Sequence, residues 1–340
     1  MAKNRLISWL AFGACFFALG VIGLGAFTRL IDAGLGCPDW PGCYGHLTVP
    51  LTEKARQLAN IEFSGSHLVT YKAWAEMIHR YFAGTLSILI ISIIVCAVKK
   101  TYRTRGNIIL ACCLIALLAY QILLGQLTVS LKLLPIIVTQ HLLGGFLILS
   151  TLWLIYLSNR QRQISYTRVG FLYPAAIIML VLVLLQITLG AWTSTNYASL
   201  SCPDLPFCLN SQPLMTMHFK AAFNIFAPVG VNYDGGVLPV EVRQTIQMTH
   251  RLGALIITIY IFSFSALALH KLKHAPELVK SLYLILGVLC VQLCIGMANV
   301  IFKLPLASAL SHNLFAVILL LSVITLVYKL KTAREEVSAK

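Results

Sequence analysis

The chain has 340 residues, 59% of them hydrophobic and 11% charged, with a net charge of +15. A soluble domain of this length does not carry so little charge, and apolar runs of this extent are membrane-spanning helices. The positive charge does not mark a nucleic-acid binder, because no basic stripe is interleaved with aromatic residues.

Eight spans of roughly 20 residues are predicted, over 6–27, 73–98, 107–131, 136–157, 169–193, 242–269, 279–302 and 306–327. The first follows Met1-Ala2-Lys3-Asn4-Arg5, which has the charge of a signal-peptide start. Its apolar stretch is too long for one and no small-residue cleavage site follows, so it is read as a retained helix. Lys3, Arg5, Lys99, Lys100, Arg160, Arg162, Arg168, Lys271, Lys273, Lys329 and Lys331 all fall on one side of this topology. Asp32, Asp39, Glu53, Glu62 and Asp234 fall on the other. That asymmetry predicts cytoplasmic termini. Nothing resembles an organelle transit peptide, which favours a bacterial inner membrane.

The second and fourth spans carry motifs that recur. Glu76-Met77-Ile78-His79-Arg80 returns as Gln247-Met248-Thr249-His250-Arg251, and Thr139-Gln140-His141-Leu142 as Leu310-Ser311-His312-Asn313, both at a shift of 171 residues. In the first span Val21-Ile22-Gly23-Leu24-Gly25-Ala26-Phe27-Thr28 matches Gln186-Ile187-Thr188-Leu189-Gly190-Ala191-Trp192-Thr193. In the third, Gln121-Ile122-Leu123-Leu124-Gly125 matches Gln292-Leu293-Cys294-Ile295-Gly296. Such self-similarity marks a duplication, dividing the chain into residues 1–160 and 161–340. Four spans per half make the repeat parallel. The expected fold class is an all-α membrane protein of about eight transmembrane helices, arranged as two pseudo-symmetric four-helix bundles. The recurring glycines either allow close helix packing or leave room for the edge of a flat macrocycle.

Two long loops, 31–72 and 194–241, lie on the side opposite the bases. Cys37-Pro38-Asp39-Trp40-Pro41-Gly42-Cys43 in the first is matched by Cys202-Pro203-Asp204-Leu205-Pro206-Phe207-Cys208 in the second. On an oxidising face each pair is expected to close a short disulfide loop, as a staple or, for Cys37 and Cys43, as a reducible pair with a part in chemistry or assembly. Cys15, Cys96, Cys112, Cys113, Cys290 and Cys294 are read as small buried hydrophobes. Phe223-Asn224-Ile225-Phe226-Ala227-Pro228 is apolar enough to lie on the membrane surface or to cover a pocket.

Histidine seldom sits in lipid without a partner. His79 and His141 lie near the same membrane face and can oppose each other across an antiparallel bundle; His250 and His312 repeat the arrangement. One imidazole from each of two helices suits axial ligation of a heme iron. Zinc wants three or four protein ligands, and non-heme iron a carboxylate. His46, His67 and His218 in the loops, and His270 and His274 on the cytoplasmic side, are read as mostly solvated. Glu76 lies three residues before His79 and so shares its helix face. It either pairs with Arg80 or another base, or handles protons beside a heme. Its counterpart Gln247 points to a division of labour, with a reaction in the first half and an electron-carrying heme in the second.

These motifs together, Glu76 to Arg80, Gln140-His141, Met248-Thr249-His250-Arg251-Leu252-Gly253, Ser311-His312-Asn313 and the two cysteine loops, resemble the heme A synthase family over nearly the whole sequence. The resemblance implies an oxidoreductase that converts heme O to heme A for terminal oxidases, oxidising the C8 methyl group to a formyl group by successive hydroxylations. It implies a heme b cofactor on His250 and His312, substrate heme O at His79 and His141, and a catalytic role for Glu76. Cys37 and Cys43 match a pair present in many bacterial members and absent from others. Heme O synthase and oxidase assembly factors follow as partners, the electron donor is not identified, and a homo-oligomer stays open. Heme propionates are expected to meet Arg80, Arg251 or Lys72 near the outer surface, since arginine pairs well with carboxylates. A non-catalytic di-heme cytochrome and a heme carrier stand as rivals; the first leaves Glu76 opposite Gln247 without purpose.

Overall fold

Backbone N–H and C=O groups in hydrocarbon have no water to bond, so an apolar chain crosses a membrane as helices that satisfy their own polar groups. The computed structural model describes residues 5–160, 170–206, 208 and 217–338, with side chains as far as residue 333. Among the described residues there are ten helices and no strand: α1 (Arg5–Leu30), α2 (Glu53–Glu62), α3 (Thr70–Val98), α4 (Arg105–Ser130), α5 (Pro135–Arg160), α6 (Leu172–Thr195), α7 (Phe219–Ala222), α8 (Val240–Lys271), α9 (Pro276–Ile301) and α10 (Leu306–Ser338). All but α2 and α7 are long and apolar enough to span a membrane, eight in number as expected. Lys3, Arg162, Arg168 and the 209–216 part of the second long loop lie outside the described residues.

The connections of the first four spans reappear among the second four. The chain leaves α1 through Asp32 at φ 51° and leaves α6 through Tyr197 at φ 54°. It leaves α4 through Lys132 and Leu133, at φ 47° and 62°, and α9 through Lys303 and Leu304, at φ 55° and 62°. A left-handed residue lets the following N–H turn back onto an orphan carbonyl of the last helical turn. Ala33 N donates to Thr28 O and Ala198 N to Thr193 O, both at 2.9 Å; Leu133 N donates to Thr128 O at 2.8 Å and Leu304 N to Asn299 O at 2.7 Å. None of these residues is glycine, so each matched turn carries a modest backbone strain that the helix-end bond offsets.

Packing follows the same plan. α1 lies against α3 and α5, and α4 against α3 and α5; α6 lies against α8 and α10, and α9 against α8 and α10. Between the halves α5 meets α6, α1 meets α10, and α5 meets α10. Exchanging α1, α3, α4 and α5 for α6, α8, α9 and α10 leaves this pattern unchanged. The centre is therefore α1, α5, α6 and α10, with α3–α4 on one flank and α8–α9 on the other. The main apolar core runs through the centre, with Ile7, Leu149 and Leu152 from the first half and Met179, Val323 and Leu326 from the second.

Hydrophobic packing gives helices little drive to associate in lipid, where polar contacts assist. The seam between halves carries several. Trp153 Nε1 donates to Thr325 Oγ1 at 2.8 Å, and the Thr139 and Thr195 hydroxyls meet at 3.2 Å. Arg29 donates to Ser194 O at 2.6 Å and lies over the Tyr197 ring, 3.9 Å from its centroid. Burial holds the Tyr197 hydroxyl above its ordinary pKa, so it stays a donor, shared between Asp32 and Asp234 at 3.0 and 2.8 Å. The second long loop also reaches across: Tyr233 N donates to Lys132 O at 3.1 Å.

Several expectations change. α10 continues past residue 327 because Tyr328–Ser338 contains no glycine or proline and is rich in helix formers. The first long loop holds α2, started by Thr52, whose Oγ1 accepts from Ala55 N at 3.2 Å. The apolar stretch after α7 splits: Ala222 and Phe223 pack on Trp192, whose indole N–H donates to Ala222 O at 2.8 Å, whereas Ile225 and Phe226 are exposed. Of the six remaining cysteines only Cys15 is buried; Cys112, Cys113, Cys290 and Cys294 lie on the outward faces of α4 and α9. Their apolar surroundings are lipid, not protein interior.

Candidate functional site: two histidine pairs

α3, α5, α8 and α10 all begin at the end of the bundle that carries the disulfide loops, and each carries its histidine within its first three turns. The four imidazoles therefore sit at similar depth. His79 of α3 and His141 of α5 lie within electrostatic range of each other, as do His250 of α8 and His312 of α10. None of the four side chains is fully sealed from the surface.

Each ring faces a glycine of a neighbouring helix. A Cβ on Gly25 of α1 would stand 2.9 Å from His79 Cε1, and one on Gly190 of α6 would stand 3.1 Å from His250 Cε1. Gly125 of α4 faces His141 Cε1 at 3.5 Å, and Gly296 of α9 faces His312 Cε1 at 3.1 Å. In both halves one histidine comes from a flank helix and meets a glycine of a central helix, and the other reverses those roles. The recurring glycines thus make room for the imidazoles, a purpose the sequence left between helix packing and macrocycle clearance.

The polar surroundings of the two pairs differ. Nδ1 of His79, His141 and His312 is buried without a hydrogen-bond partner. His250 Nδ1 lies 3.1 Å from Gln186 Nε2, which also donates to the His250 carbonyl oxygen at 2.9 Å. Gln292 Nε2 stands 3.4 Å from His312 Nε2, whereas its repeat mate Gln121 turns toward Gly144.

Glu76 is buried and fully engaged. One carboxylate oxygen accepts from Cys37 N at 2.8 Å, and the other is ion-paired with Arg80 one turn further along α3. The approach is close because Gly36 has no side chain: a Cβ there would lie 2.6 Å from the Lys72 carbonyl. Gln247 is equally buried, but its Oε1 has no partner. The carboxylate thus ties the first disulfide loop to the helix that carries His79, and the amide makes no such tie.

Both cysteine pairs are bonded, Cys37 to Cys43 and Cys202 to Cys208. An arginine gathers each loop. Arg80 donates to the carbonyls of Asp39, Pro41 and Gly42. Arg251 donates to those of Asp204, Pro206 and Cys202, at 2.6, 3.2 and 2.7 Å. The two arginines placed from the sequence beside porphyrin propionates therefore turn to loop carbonyls, Arg80 through Nη1 with Nη2 on Glu76, and Arg251 through Nη1 and Nη2. Arg251 Nε alone stays buried and unspent. Sequence reasoning missed this use of the arginines, although their repetition, each directly after a histidine, His79 or His250, was visible.

The donor set fits axial ligation of an iron porphyrin. Each half offers two imidazoles from different helices, with a glycine before each ring, and three buried Nδ1 atoms lack any protein partner. Among the described residues no group of three or more His, Cys, Asp or Glu is arranged to hold a metal ion alone, as zinc would require. Fold and site together define a multi-pass membrane protein with two internally related imidazole pairs. The chain belongs to the cytochrome oxidase assembly protein family, COX15-CtaA, whose model matches residues 8–324. It is 40% identical over 324 residues to the heme A synthase of Shewanella oneidensis, covering 95% of this chain and 96% of that one. It is 26% identical to the heme A synthase of Lysinibacillus sphaericus, over 92% of each chain. Against that of Bacillus cereus it is 25% identical, over 92% of this chain and 89% of the relative.

Proposed function

We propose that this chain is a heme A synthase of a bacterial inner membrane, with both termini cytoplasmic. It oxidises the C8 methyl group of heme O to a formyl group by two successive hydroxylations, giving an alcohol and then a geminal diol that loses water. The observation that carries this reading is the 40% identity to the Shewanella oneidensis heme A synthase across nearly the full length of both chains.

His250 and His312 would hold heme b, which supplies one-electron chemistry when bound. His79 and His141 would line or ligate the site for substrate heme O. Residues 1–160 then form the substrate half and residues 161–340 the cofactor half. Glu76 holds or moves a proton beside His79, anchored by Cys37 N and Arg80; the Gln247 amide does not titrate and offers the second half no such group. Arg80 and Arg251 fix the disulfide loops, and the unspent Nε of Arg251 is the donor left for a propionate. A heme O synthase would supply the substrate and oxidase assembly factors would receive the product.

The test is pigment analysis. The protein is expressed with a source of heme O, and the extracted hemes are examined for heme A or its hydroxylated precursor. Either product is the expected result. Heme O recovered unchanged beside bound heme would overturn the enzyme in favour of a di-heme cytochrome or a carrier.

A further inference from the structure

Of the four imidazoles only His250 has a hydrogen-bond partner at Nδ1, and that partner is Gln186. The amide grips the residue twice, at Nδ1 and at the backbone carbonyl. Its remaining atom, Oε1, is buried and unpartnered. The amide sits in a niche that exists because residue 253 is glycine, since a Cβ there would collide with Gln186 Oε1. The first half lacks both parts of this arrangement. The repeat mate of Gln186 is Val21, and the mate of Gly253 is Phe82, which stacks on Phe17 with ring centroids 5.5 Å apart. Valine has no hydrogen-bonding side chain, so what it offers His79 is its backbone carbonyl, and phenylalanine leaves no glycine niche for a side-chain amide.

We propose that Gln186 is a positioning residue that fixes the His250 ring as a permanent iron ligand, and that Val21, which has no side-chain amide, gives His79 a backbone contact in place of that grip so that the porphyrin it meets can leave. This rests on the reading that the second half keeps its heme and the first half exchanges one. Ligation through Nε2 forces the imidazole proton onto Nδ1, and a buried acceptor beside that nitrogen fixes the ring and raises its basicity. As placed, Gln186 Nε2 meets Nδ1 as a donor; for a ring bound through Nε2 the amide turns over, so that Oε1 accepts from Nδ1–H and the bond to the His250 carbonyl is given up.

The experiment uses the full-length protein purified in detergent, with three readouts: heme retained per chain, the low-spin ferric resonance, and the midpoint potential. Gln186→Val should weaken heme retention about 10-fold or more, alter the low-spin signal and raise the potential, because a less basic ligand favours ferric iron less. Gln186→Glu keeps an acceptor, strengthens it, and should move the potential down. Opposite shifts identify a role in positioning and tuning, which a packing defect does not produce. Retention, signal and potential all unchanged in Gln186→Glu and in Gln186→Val would overturn the inference. His250→Leu separates this from the underlying assignment. If that variant keeps the wild-type low-spin heme, the second-half site itself is wrong; if it loses the heme while the Gln186 variants behave as wild type, only the role of Gln186 fails.

Discussion

The two halves have the same helix neighbours, the same left-handed exits, the same arginine-gathered disulfide loop and the same glycine before each imidazole. They part company in the polar groups on the histidine helices. The first half sets a carboxylate one turn before His79 and leaves both Nδ1 atoms without partners; the second sets an amide in the carboxylate's place and clasps His250. A duplication that keeps its membrane scaffold and changes the polar groups on its histidine helices separates support from chemistry, and the difference tells which is which.

The largest expected effect comes from removing the sharpest distinction. Glu76→Gln gives the first half the amide of the second and should abolish heme A formation while second-half heme remains bound, as read by pigment analysis beside total heme. Ordinary turnover in that variant would remove Glu76 from the mechanism. Next, Arg80→Ala strips a buried carboxylate of its partner, a change that costs about 3–5 kcal/mol. Arg251→Ala breaks hydrogen bonds to neutral carbonyls and loses an attraction to Asp204 that is not an ion pair in contact, so thermal unfolding should show the smaller loss there. Equal losses would mean that the Glu76 ion pair adds nothing.

The glycine notches give a graded series. A methyl group at Gly25 or Gly190 presses the facing ring at 2.9 or 3.1 Å, whereas at Gly125 it meets His141 at ordinary contact distance, 3.5 Å. Overpacking of this kind costs about 1–3 kcal/mol. Bound heme per chain should fall in Gly190→Ala and stay near normal in Gly125→Ala; the reverse order would argue against the notch. The smallest effect belongs to the seam, where Trp153→Phe removes one hydrogen bond to Thr325, worth about 0.5–1.5 kcal/mol. Thermal stability should drop slightly with heme content unchanged.

Much of this was legible in the residues because two signals were strong. Apolar runs of spanning length gave the eight helices, and motifs repeated at shifts of 165 residues for the first helix and the cysteine loops and 171 for the histidines gave the halves, the loops and the Glu76–Gln247 contrast. The rest depended on which way a helix faces. A helix that is apolar all round carries no stripe to distinguish lipid from protein, so the outward turn of Cys112 and Cys290 was misjudged. The match of Gly25 to His79 and of Gln186 to His250 joins residues far apart in the chain, and only packing brings them together. α2 went unseen because it is short and polar, although Thr52 before Glu53 is an ordinary helix start.

The seam has a consequence for traffic. It is fastened by Arg29 on Ser194, by Thr139 on Thr195 and, deeper in the bundle, by Trp153 on Thr325. Two lobes riveted at more than one level do not swing apart like jaws. If the first half exchanges a tailed porphyrin as proposed, the seam is not its door, and the flank of α3 and α4, away from that seam, is the side left for its passage.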